Sequence, residues 1–130
     1  MANSPLTGKR NLSAPKQGDS IIIDAKPHAG REYGGHDPRR GNIRRHLIVL
    51  SNTDYNQLTG MVVGMAITTT NFADMSGYLP FVDLESKTKG NIILWQLPTF
   101  DQVARHASII GHVSPSMLNT LKKAAIDIFE

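Results

Sequence analysis

The chain contains no cysteine, which excludes disulfides, thiolate metal sites and a cysteine nucleophile. It also lacks an apolar run long enough to span a bilayer, and its first residues lack the apolar core of a signal peptide. The expectation is a soluble, cytoplasmic protein that does not engage a membrane. No P-loop or dinucleotide glycine fingerprint occurs, and no serine sits in a nucleophile elbow. His28, His36, His46, His106 and His112 form no close pair at metal-ligand spacing, and the acids are scattered, so neither a metal nor a cofactor is expected. Acids are also missing from residues 1–17, where Lys9, Arg10 and Lys16 stand among Ser, Pro, Asn and Gly. So little apolar surface does not offset the entropy of ordering, and residues 1–17 read as a flexible basic arm.

What is present describes one small folded unit over residues 18–130. The chain has 130 residues, 40% hydrophobic and 19% charged, too few for two independent cores. Its net charge of +3 favours a polyanionic partner, because Lys and Arg ease the approach to phosphates. Short β-branched and apolar runs at 20–24, 46–51, 61–68, 79–84, 92–96 and 108–113 read as strands. The segment 52–60 reads as a turn-rich connection and 85–90 as a polar turn. Short strands with turn signals between them predict a small curled sheet or barrel. Ser114-Pro115 then caps a helix. Its apolar face is Met117, Leu118, Leu121, Ala124, Ala125, Ile128 and Phe129. This is a packing helix.

The segment most suited to chemistry is the long loop after the first strand. From Lys26 to His46 there are six Lys and Arg against two acids, Glu32 and Asp37. Loops of this length are commonly functional or disordered. The hydroxyl run Thr68-Thr69-Thr70 ends a strand across the next hairpin. Arginines and hydroxyls at the mouth of a sheet can grip phosphates. The plainer alternative is a solvated basic loop with ordinary strand-end threonines.

The order of the pieces carries a resemblance. Gly18-Asp19-x-Ile-x-x-Asp24, Pro27-x-x-Gly30-x-Glu32 and Arg45-x-x-Ile-Val-Leu-Ser51 come first. Tyr55-Asn56-x-x-Thr59-Gly60-Met61, Thr68-Thr69 and Pro80-Phe81 follow, then Gly90, Gln96, Asp101, Arg105, Gly111 and Val113. From residue 18 onward this series resembles the MazF/PemK toxins of type II toxin–antitoxin systems. The resemblance implies a mainly β (α+β) fold, an SH3-like bent-sheet barrel with a C-terminal helix, paired into a homodimer. It also implies metal-independent, sequence-specific cleavage of single-stranded RNA, and inhibition by a cognate antitoxin.

Carried over by position, the family's catalytic arginine falls on Arg45 and its threonine on Thr68, with Glu32 and Gln96 near the groove. In such cleavage the 2′-hydroxyl attacks its neighbouring phosphate. A guanidinium suits the extra negative charge, a threonine hydroxyl can donate to a phosphate oxygen, and Glu32 is a candidate general base, with His36 or His46 as substitutes. Arg39, Arg40, Arg44, His46, Thr69 and Gln96 are candidate RNA contacts. The chain departs from the pattern in three places. His46 stands where the family has proline, residues 37–44 are additional, and Trp95 replaces an acid before Gln96. The additional residues leave Arg44 as an alternative to Arg45. Two other functions fit a small barrel: a gyrase poison of the CcdB type, and a non-catalytic SH3-like nucleic-acid-binding module.

Overall fold

The computed structural model describes residues 9–24, 44–70 and 75–130. Within them the chain forms β1 (Asp19–Asp24), β2 (Arg44–Val49), α1 (Thr53–Thr59), β3 (Met61–Thr68) and β4 (Tyr78–Asp83). β5 (Thr88–Ile93), β6 (Thr99–Asp101), β7 (Ser108–His112) and α2 (Pro115–Asp127) follow. The strands pair antiparallel in the order β4-β5-β3-β2-β1-β7, and β6 also pairs with β3. β3 meets β6 through residues 61–63 but β5 through Ile67 and Thr68. One strand thus serves two neighbours along the same edge, and the sheet curls there. The bent sheet and C-terminal helix expected from the sequence are both present.

The curl has a simple cause: both faces of the sheet are apolar and each needs a cover. Ile48, Met65, Ile67, Phe81 and Ile92 face α2, whose Leu121 is fully buried among them. Ile21, Ile23, Leu47, Val49, Val62 and Ala66 face the other way, and Phe100 of β6 closes over them. Burying one such side chain is worth about 1.5–3 kcal/mol, so leaving either face open would outweigh the marginal stability of a small domain. Ile21 and Ile23 are buried and Ile22 only half-buried, as period-2 alternation requires.

Several expectations are corrected. Residues 9–17, assigned to a flexible arm, pack against α1: Ala14 and Pro15 are buried, and Arg10 pairs with Asp54 at 2.7 Å. The buried Asn56 amide donates to the Pro15 carbonyl at 2.9 Å. A composition count overlooks such small residues and single hydrogen bonds. Residues 1–8 lie outside the described residues. Segment 52–60 is the helix α1, with Asn52 accepting from the Tyr55 amide at its start and Gly60 as its C-cap. Both capping signals stand in the sequence, but seven residues are too few for an apolar period to show.

The strand expected at 92–96 is β5, which starts earlier. Thr88, Lys89 and Gly90, assigned to a polar turn, pair with Asp83, Val82 and Phe81. Their polarity is satisfied locally, with Ser86 donating to Asp83 at 2.7 Å and lying 2.9 Å from the Thr88 hydroxyl. β6 was not expected, since it is three residues long with one apolar anchor, Phe100. The helix stripe also ends early. α2 stops at Asp127, and Phe129 is 79% exposed.

Candidate active site

Register places the central residues. The β2–β3 ladder ends at the pair His46 and Ile67, and Arg45 and Thr68 are the next residues outward on the two strands. On its other side Thr68 pairs with Asn91, which in turn pairs with Pro80. Directly opposed residues share a face and lie about 4.5–5.5 Å apart at Cβ. Thr68, Asn91 and Pro80 therefore form a row across three strands, and Arg45, paired with Ile23, lies on the same face beyond it, at the rim of the core built on Ile21, Ile23 and Leu47. Gly90 permits this closeness. A Cβ there would lie 2.4 Å from the Thr68 carbonyl oxygen.

Along the row the polar groups are only partly used. Arg45 is half-buried, and among the described residues nothing hydrogen-bonds or ion-pairs with its guanidinium. The Thr68 hydroxyl accepts from the Thr70 amide at 3.2 Å, and among the described residues its own proton meets no acceptor. Asn91 is 7% exposed; its amide donates to the Thr70 carbonyl at 3.2 Å, while its buried Oδ1 has no partner among the described residues. Thr69 is exposed at the end of this strand. Among the described residues, an unpaired cation, a hydroxyl and a buried amide oxygen without a partner therefore lie on one face of the sheet. That arrangement can hold a phosphodiester and its flanking hydroxyl.

Arg44 and His46, expected beside Arg45, are on the other face, because successive strand residues alternate. Arg44 is fully engaged. It pairs with Asp24 at 2.7 Å and donates to the Ile22 and His106 carbonyls at 3.2 and 2.9 Å. His106 Nδ1 meets the other Asp24 oxygen at 2.8 Å. Burial holds His46 below the ordinary imidazole range, which favours its neutral form. Gln96 is half-buried in the bend between β5 and β6, next to Trp95. Glu32, His36, Arg39 and Arg40, and all of the 37–44 insertion except Arg44, lie outside the described residues. Among the described residues, no three His, Asp or Glu side chains gather as a metal-ligand set, and no helix is long and apolar enough to cross a membrane.

Hydrogen bonding from His106, and then from Arg44, holds the Asp24 carboxyl below the ordinary carboxylate range, against the opposing effect of burial. The folded chain therefore takes up this proton less readily than the unfolded chain. The stability Asp24 contributes is present above the ordinary carboxylate value and is lost as pH falls through the lowered one. Asp24→Asn is expected to flatten the acid limb of a plot of melting temperature against pH. Parallel acid limbs for the two proteins would refute this role.

Sequence reasoning missed Asn91. The signal was available, as one amide heading the apolar run Ile92-Ile93-Leu94, since a buried polar residue is more informative than an exposed apolar one.

The family model for the PemK-like, MazF-like toxin of type II toxin–antitoxin systems matches residues 16–129. The chain belongs to this toxin family. No curated protein matches this MazF-like toxin by sequence. Its fold is similar to that of MazF from Deinococcus radiodurans, with a TM-score of 0.75 at 20% identity, covering 89% of this chain and 96% of that one. A MazE–MazF complex from the same organism gives 0.71 at 17% identity, with the same coverage of each chain. An endoribonuclease in complex with its cognate antitoxin, from a mycobacterial species, gives 0.64 at 19% identity and covers 89% of this chain and 95% of that one. At such identities the likeness concerns the fold.

Proposed function

We propose that this toxin is an endoribonuclease that cuts single-stranded RNA at specific sequences without a metal, through attack of a 2′-hydroxyl on the adjacent phosphate. One observation carries the reading: Arg45 and Thr68 lie at the ends of adjacent strands on one face, and among the described residues no group pairs with the Arg45 guanidinium, while its neighbour Arg44 is held by Asp24. The mycobacterial relative described as an endoribonuclease with its antitoxin supports the same class. In the reaction the 2′-oxygen bonds to phosphorus as the P–O5′ bond breaks. The 2′ proton passes to a base, and the leaving 5′-oxygen gains a proton. Arg45 holds two phosphate oxygens and Thr68 donates to one of them, where negative charge builds up. Glu32 is assigned the base, and Arg39, Arg40, Thr69 and Gln96 contact flanking RNA. Arg44 braces the end of β2 through Asp24. The partners are a second copy of the chain and a cognate antitoxin.

Purified protein incubated with a long single-stranded RNA in excess EDTA is expected to cut it at a few sites. The ends should be a 2′,3′-cyclic phosphate and a 5′-hydroxyl. The same preparation is expected to sediment as a dimer at micromolar concentration. Cleavage that requires Mg²⁺, or products with 5′-phosphates, would overturn the mechanism. Intact RNA beside trapped gyrase would move the assignment to a topoisomerase poison.

A further inference from the structure

An exposed tryptophan lies on the approach to the row. Trp95 is the only tryptophan of the chain and is 43% exposed in the bend after β5. Its ring is held on two sides. Tyr78 meets it edge to face, with centroids 6.3 Å apart and planes at 83°. Gly77 lies against its edge, where a Cβ would come within 3.0 Å of Cδ1. Gly77 also has φ +91°, so both the backbone turn and the ring's place depend on the missing side chain. Among the described residues the indole N–H meets no acceptor.

Position links this ring to the site. Tyr78 pairs with Ile93 and Pro80 with Asn91, so Tyr78 lies on the same face as Arg45, Thr68 and Asn91. From Thr68 it is two strands across and two residues along, about 10 Å and about 7 Å, a gap that a few nucleotides of single-stranded RNA bridge. Successive bases of such RNA stack on aromatic rings while basic groups follow the backbone. A ring already fixed in place loses little freedom on stacking.

We propose that Trp95, braced by Gly77 and Tyr78, is a stacking platform for an unpaired RNA base flanking the cut, and so a determinant of which sequence is cleaved. This rests on the RNA-cleaving reading above. The probe is a 2′-O-methyl oligonucleotide spanning a mapped cut, labelled at one end so that anisotropy reports binding independently. Its binding is expected to quench the emission of Trp95. An abasic site stepped along the strand should abolish quenching at one position and weaken binding there about tenfold. Trp95→Ala should weaken binding of the intact oligonucleotide by a similar factor, about tenfold, whereas Trp95→Phe should retain most of it. Binding with unchanged Trp95 emission, or with wild-type affinity in Trp95→Ala, would overturn the platform and leave the RNA reading standing. An emission shift on dilution without RNA would also overturn it, placing Trp95 between copies of the chain. Failure of the wild-type protein to cut any RNA, so that no cut can be mapped, would overturn both readings.

Discussion

Arg45→Ala is expected to lower the rate of RNA cleavage by about 10²–10³, and Thr68→Ala by a similar factor, with the fold retained in each. Removing one positioned donor from a charge-stabilising site costs about 2.7–4 kcal/mol of transition-state stabilisation. Both residues lie at the rim of the sheet, half-buried, so their truncation opens no cavity in the core. Arg44→Ala is the decisive control. It removes the ion pair to Asp24 at 2.7 Å and two bonds to backbone carbonyls, so it should lower the melting temperature. Single-turnover cleavage by its folded fraction should stay within several-fold of wild type. Single-turnover rates on one RNA, with circular dichroism on each variant, separate the two arginines. Full activity in Arg45→Ala together with its loss in folded Arg44→Ala would exchange their roles.

Replacing the 2′-hydroxyl at the scissile nucleotide alone, by hydrogen or by O-methyl, is expected to abolish cutting there, because the nucleophile is gone. Affinity should change little, since most contacts in such a groove go to phosphates and bases rather than to one hydroxyl. The modified RNA should therefore bind and compete with intact substrate. Gel analysis of a single-site substrate, with and without the substitution, reads both quantities. Cutting of the 2′-deoxy RNA at the normal rate would show that another nucleophile attacks, and would remove the role assigned to Thr68 and Arg45 in stabilising a cyclising phosphate.

Local pattern alone was enough for the strands whose side chains alternate or crowd with β-branched groups, such as 20–24 and 61–68, and for α2 behind Ser114-Pro115. These features are legible because each depends on neighbours within a few residues. Arg45 and Thr68 are singled out as candidates only through the family resemblance, by their offsets from Ser51 and Gly60. What the sequence left open depended on contacts distant in the chain. Nothing local distinguishes Arg44 from Arg45. Strand alternation against β1 sends one to Asp24 and leaves the other paired with Ile23 on the opposite face. Asn91 lies beside Thr68 because β5 docks against β3 at Gly90, and Trp95 is held against Tyr78 where Gly77 leaves room for its ring. Helix α1 and the packing of residues 9–17 depend on each other through Asn56 and Pro15, so neither is visible by itself. Hydrophobic period and capping chemistry settle which elements form, whereas the company a side chain keeps is set only when the curled sheet closes.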